Sequence, residues 1–285
     1  MNTIFIQPIR QQYRLPQRAK IAATTARPPV KGSTISLLLG IFMLTFTVPI
    51  SIVSAQTQPD VQAILAKLDA MNDFSGLDFT GVYTIVSEKP GEKAALTQIR
   101  LFRRDSQDLF TLLIQQPEAS KGQGYLKEGD NIWFYDPSSR KFTRSSLKEN
   151  LNDSEARNSD FSRRSILDDY DVTGTEEGTL GKFPVWIITL KAKTDKVSYD
   201  ISKLFVRKDG NLLLKQEDYS VSGKKMRTTL YPKYADLGNS KMFPSQMLIV
   251  DELNPGEKSQ ITMTELSTSK LPDKVFTKAF LEQVN

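Results

Sequence analysis

Three groups of residues have types and spacings that could support chemistry. Asp168 and Asp169 with Asp171, and the pair Glu176/Glu177, bring carboxylates together as in a glycosidase, where one carboxyl protonates the leaving oxygen and the other activates water or attacks. Gly122-Gln123-Gly124 behind Lys121 has the start of a phosphate cradle, but it lacks the Gly-Lys-Ser/Thr ending and no helix clearly follows. Arg103-Arg104 and Arg163-Arg164 could meet anionic lipid headgroups. Each group also has an ordinary counterpart: solvated charge in polar loops, a kink where a strand begins, and surface charge. The 285 residues include no Cys and no His, which excludes Ser/His and Cys/His nucleophiles, a zinc site of the usual ligands and a disulfide framework. The sequence therefore predicts no catalytic residue, no metal and no cofactor.

The elements that would position any site are mostly strands. Asp60 precedes Val61, Ile64, Leu65 and Leu68, apolar at i, i+3, i+4 and i+7, which predicts one capped amphipathic helix over residues 60–72. After Phe74 the period changes to two, and short strands follow between turn signals: Pro90-Gly91, Gly129-Asp130-Asn131, Asp209-Gly210, Ser222-Gly223 and Pro255-Gly256. Asp209-Gly210 is the strongest hairpin signal, with both residues expected at positive φ in a type I′ turn. Between about 140 and 169 the strand pattern lapses into a polar stretch without Gly or Pro, in which Ser165 and Ile166 suggest a short capped helix; it is read as a lid inserted into a long antiparallel meander. Residues 272–284 predict a short closing helix with Phe276, Phe280 and Leu281.

The net charge of +5 is unevenly spread. Arg10, Arg14, Arg18, Lys20, Arg27 and Lys31 stand in the first 59 residues without an acid, leaving 32 basic against 33 acidic residues for the rest. No nucleic-acid surface is indicated for the folded part. The basic stretch, the apolar run 35–53 and Val53-Ser54-Ala55 together form an export signal, with cleavage expected after Ala55 and an uncleaved inner-membrane anchor as the alternative. The domain reading is thus a leader over 1–55 and one domain over 56–285, large enough to bury a core without staples.

Several strands are apolar on both faces: Phe110, Leu112 and Ile114 against Leu109 and Leu113, Trp186-Ile187-Ile188, and Leu212-Leu213-Leu214. An antiparallel sheet with one wet face should alternate, so something must cover the second face, either helices or an apolar ligand.

The ordered set Gly122-Gln123-Gly124-Tyr125-Leu126, Ile132-Trp133-Phe134-Tyr135-Asp136-Pro137, Phe142-Thr143-Arg144, Ser159-Asp160-Phe161-Ser162 and Asp169-Tyr170 resembles the outer-membrane lipoprotein-sorting family, in its exported LolA-like branch; Tyr219 to Lys225 resembles that branch's later hairpin. The resemblance runs from about Phe74 to Leu266. It implies a mainly β fold with a few helices (α+β): an incomplete, strongly curved antiparallel β-barrel of about eleven strands with helices covering the concave face. It also implies a non-enzymatic periplasmic carrier that takes lipoprotein or lipid acyl chains from an inner-membrane transporter and delivers them toward an outer-membrane acceptor, acting as a monomer. Asn158 before Ser159-Asp160-Phe161-Ser162 and Arg163-Arg164 after it depart from the branch's pattern. Alternation, together with Trp133's place in the motif, assigns Phe110, Leu112, Ile114, Trp133, Tyr135, Trp186, Ile188, Met247 and Ile249 to a lipid-binding cavity, and Phe161, Ile166 and Tyr170 to the lid. The alternative function is a periplasmic lipid sensor or regulator that uses the same sheet to bind a membrane-protein partner.

Overall fold

The computed structural model describes residues 59–238 and 241–284. The leader and its cleavage site lie outside them. Helix α1 (Val61–Asn72) starts where Asp60 accepts a hydrogen bond from the backbone N–H of Ala63 at 3.0 Å. The strands β1 (Asp78–Glu88), β2 (Ala95–Arg104), β3 (Leu109–Gln116), β4 (Gly124–Glu128), β5 (Asn131–Asp136) and β6 (Lys141–Ser145) follow. A four-residue helix α2 (Ile166–Asp169), capped by Ser165, leads into β7 (Tyr170–Leu180), β8 (Phe183–Ala192), β9 (Ile201–Arg207), β10 (Leu213–Tyr219), β11 (Lys225–Asp236), β12 (Met242–Asp251) and β13 (Lys258–Ser267). Helix α3 (Lys278–Gln283) closes the fold. Among the described residues no helix is long and apolar enough to cross a membrane.

These 13 strands form one antiparallel sheet in the order β6-β5-β4-β3-β2-β1-β13-β12-β11-β10-β9-β8-β7. Two corrections to the sequence reading follow. The strands number thirteen, not about eleven, and the sheet is open, with β6 and β7 as its edges. The lid region also begins later than 140, because Lys141–Ser145 pairs with β5. Its polar sequence is that of a short edge strand, which needs no apolar face.

The two edge strands are consecutive in sequence, so residues 146–165 must travel from one edge of the sheet to the other. This strap runs over one face, called inner here. Its Leu151, Ala156 and Phe161 are buried with Tyr83, Ile99, Leu112, Ile249 and Ile261 from the middle of the sheet. On the β8 and β9 side of the same face, α1 supplies Ile64, Leu65 and Leu68 against Ile188, Leu190, Leu204 and Val206. The helix is amphipathic because only that stripe meets the sheet.

The C-terminal segment covers the outer face over β3, β4 and β5. Leu281 of α3 packs with Leu113, Leu126 and Tyr135. Arg104 fastens the C-terminal segment from below: it holds Asp78 through two hydrogen bonds of 2.9 Å and reaches Asp273 at 2.6 Å. Gly124 allows the approach, since a Cβ there would come within 2.5 Å of Leu281. This accounts for the doubly apolar β3. The Gly122-Gln123-Gly124 run is thereby explained as structure: Gly122 takes φ +83° in a turn, and its N–H is used by the carbonyl of Ile114 at 2.9 Å.

Turn chemistry followed the sequence with one shift. Gly91, Gly129, Gly210, Gly223 and Gly256 all adopt positive φ. Between β9 and β10, however, the left-handed pair is Gly210 and Asn211, not Asp209 and Gly210. Asp209 is instead held by the Arg207 guanidinium at 2.6 Å, and the turn closes one residue later.

Candidate binding cavity

Where the strap and α1 pass over the β8–β13 wing they leave a cavity of about 280 Å³. Leu68 and Met71 of α1, Leu147 of the strap, Ile166, Tyr170, Leu190, Leu204, Leu213, Phe243, Met247 and Met263 make most of its wall apolar. At one end the wall changes character. Ser202, Asp218 and Arg227 stand in one cross-strand row, and Leu204, Gln216 and Thr229 in the next.

That polar end is built from buried charge. Asp160 of the strap, with its side chain 2% exposed, accepts from Arg227 at 2.9 Å, from Arg164 at 2.5 Å and from the backbone N–H of Arg157 at 2.9 Å. Burial alone would raise the Asp160 carboxyl, but the two guanidiniums and the Arg157 N–H outweigh it and hold the group below its ordinary value. Asp218 has the opposite balance. Burial pushes it above the ordinary carboxylate value, and the Arg227 charge with hydrogen bonds from Gln216 at 2.7 Å and Ser202 at 2.6 Å recovers only part. Asp69 of α1 accepts from the N–H groups of Ile166 and Leu167 at 2.7 and 3.1 Å, so it caps α2 and ties the end of the strap to the helix.

The residues expected to form a site are distributed as follows. Phe110, Leu112, Met247 and Ile249 belong to the central inner cluster, Ile114 is buried opposite Ile99 on the neighbouring strand, and Ile188 and Trp186 belong to the cluster under α1. Trp133 and Tyr135 do not share that face. Lys278 of α3 lies 3.7 Å from the Trp133 ring centre, and Tyr135 packs with Phe142 and Leu281 on the outer side. Phe134, their neighbour, faces inward with Ile132 and meets Tyr125 at 5.0 Å. Of the nine, Met247 borders the cavity. Of the three lid residues, Ile166 and Tyr170 border it, whereas Phe161 is driven into the sheet, 1% exposed, with its ring 5.3 Å from that of Tyr83.

The polar end was not anticipated. Counting by twos from Leu213, which faces the cavity, would turn Lys215 and Glu217 inward. A bulge between Leu213 and Lys215 resets the alternation and turns Gln216 and Asp218 inward instead. Arg103 and Arg104 are not surface charge, being buried against Asp105 at 2.5 Å and against Asp78, whereas Arg163 is exposed and Arg164, half-buried, holds Asp160. The acid pairs do not converge. Glu176 and Glu177 occupy opposite faces of β7, and Glu177 pairs with Lys208 at 2.7 Å.

The profile of a family described as "Uncharacterized protein" matches residues 106–283. No curated protein matches the chain. Among solved structures, a LolA superfamily protein from Nitrosomonas europaea is similar with 25% identity and a TM-score of 0.68, over 77% of this chain and 98% of that one. A domain from Vibrio parahaemolyticus described as an outer membrane lipoprotein-sorting protein shares the fold at a TM-score of 0.68 and 17% identity, over 77% of this chain and 97% of its own.

Proposed function

We propose, from its likeness to LolA superfamily structures, that the chain is an exported, non-enzymatic carrier that shelters acyl chains of lipids or lipoproteins against the inner face of its sheet. The observation that carries this reading is the cavity itself, apolar along most of its wall and roofed by a strap joined to the sheet edges at both ends. Each CH₂ moved out of water contributes about 0.8 kcal/mol, so a chain of a dozen carbons outweighs most polar losses.

A cavity of about 150 Å³ suffices for a guest the size of benzene. The 280 Å³ seen here therefore holds only part of a long chain. On this reading the strap lifts, and the chain extends along the residues that the strap now covers: Met247, Ile249, Ile114, Leu112 and Phe110, with Trp186 and Ile188 at the α1 end. The sheet then works as an incomplete curved barrel whose concave side is the inner face. Delivery runs from an inner-membrane donor through the periplasm toward an outer-membrane acceptor that holds the chains better, with the leader removed after Ala55.

Mass spectrometry of lipids that copurify with the exported protein, followed by transfer of those lipids between vesicles, tests the proposal. Acyl lipids in stoichiometric amount and protein-dependent transfer are expected. Empty protein that neither binds nor moves acyl chains would overturn it.

A further inference from the structure

We propose that the polar end of the cavity recognises a zwitterionic lipid head, a phosphate carrying a primary ammonium group, as in phosphoethanolamine lipids. The inference rests on the carrier reading and deepens it by naming the cargo's head.

A cavity meant for acyl chains alone gains nothing from burying charge, because each buried ion loses its hydration. Here Asp160, Asp218 and Arg227, all buried, and the half-buried Arg164 meet at one end of the cavity wall. Their hydrogen bonds leave charge unmatched in two places. Arg164 and Arg227 share the single carboxylate of Asp160, so one positive charge is in excess. Among the described residues, Arg227 donates from Nε to Thr229 and from Nη2 to Asp160, and its Nη1 makes no hydrogen bond. Arg164 donates only from Nη2.

Asp218 supplies the complementary deficit. It is 1% exposed, and both of its donors, Ser202 and Gln216, are neutral and share one oxygen, Oδ1. Among the described residues Oδ2 accepts nothing. That oxygen, at the cavity wall, is free to accept from a guest, and a primary ammonium supplies three donors.

The two demands must be met by one guest, because Asp218 and Arg227 are direct cross-strand partners on the same face. Directly opposed residues have Cβ atoms roughly 4.5–5.5 Å apart. A bare anion drawn to the arginines would sit beside the Asp218 carboxylate, and a bare amine drawn to Asp218 would sit beside two guanidiniums. A phosphate tethered to an ammonium satisfies both: the guanidiniums take the phosphate oxygens and Asp218 takes the N–H groups.

The test compares lysophospholipids of one acyl chain that differ only in head, titrated into the full mature protein below their micelle concentrations by displacement of a fluorescent fatty acid. Lysophosphatidylethanolamine should bind at least about tenfold tighter than lysophosphatidylcholine, which has the same net charge but no N–H, and tighter than anionic lysophosphatidylglycerol. Asp218→Asn should remove most of the ethanolamine-over-choline preference. Free phosphoethanolamine, which lacks the chain, should compete far more weakly than the lysolipid; equal competition would place the site's specificity in a soluble metabolite and overturn the lipid assignment. Equal affinity for the three lysolipids, or preference for the glycerol head, would overturn the head assignment while leaving the carrier reading intact. No binding of any lysolipid would remove both.

Discussion

Asp218 and Arg227 stand directly opposite each other on β10 and β11, yet no ion pair joins them: Arg227 turns to Asp160 on the strap, and Asp218 keeps only the neutral donors Ser202 and Gln216. A raised carboxyl in the folded state binds its proton more tightly than in the unfolded chain, so ionised Asp218 opposes folding at neutral pH, and that penalty is relieved as pH falls through its folded value. Asp218→Asn is therefore expected to stabilise the empty protein, by about 0.5–2 kcal/mol, the range seen when functional strain is removed. Urea unfolding at pH 7 and at pH 5 measures this, and the advantage of the variant should shrink at the lower pH.

Asp160 has the opposite sign. Its carboxyl is held below the ordinary value, so its contribution is complete above the unfolded value of about 3.9 and is lost as pH falls through the folded one. Asp160→Ala leaves two guanidiniums without their shared carboxylate and should cost about 3–5 kcal/mol at pH 7. The difference from wild type should close below pH 4, read from denaturant midpoints across an acid series.

Phe161 occupies space against Tyr83 that an acyl chain on the inner face would need. Phe161→Ala with Ile166→Ala should bind a fluorescent fatty acid more tightly, while the phenylalanine change alone costs the empty form about 3–5 kcal/mol. Amide exchange over residues 146–170 should rise on adding cargo to wild type. If both affinity and exchange stay unchanged, the strap is not displaced by the guest.

Gly124 is pressed from two sides. A Cβ would lie 2.5 Å from a Leu281 methyl and 2.6 Å from the carbonyl oxygen of Leu112. Gly124→Ala should cost about 1–3 kcal/mol by overpacking. Adding Leu281→Ala should not restore wild-type stability, because the backbone clash remains. Thermal unfolding of the single and double variants decides it.

What the sequence revealed depended on whether alternation ran uninterrupted from a residue of known facing. On β3 it did, and Phe110 and Leu112, two apart in sequence, are buried in one cluster. On β10 one bulged residue reversed the count, hiding Gln216 and Asp218. On β5 the count was sound but the cover was not legible: α3, distant in sequence, buries the outer face, so burial of Tyr135 says nothing about the inner one. The buried role of Arg104 was hidden for the same reason, since Asp78 and Asp273 are its neighbours only after folding. Short, polar β6 carried no signal because an edge strand needs none.

The centre of the sheet is sewn by the first strand and the last: the Ser87 and Ser259 hydroxyls, 172 positions apart in the chain, meet at 3.0 Å. Neither wing can complete the sheet by itself, since β1 lacks its second neighbour until β13 has emerged. A chain appearing N-terminus first thus carries an unpaired, largely apolar strand through most of its production. Joining so distant a pair is entropically costly and slow. The seam that makes the finished sheet continuous is also its period of greatest exposure to aggregation, and truncation anywhere before Lys258 leaves that edge open for good.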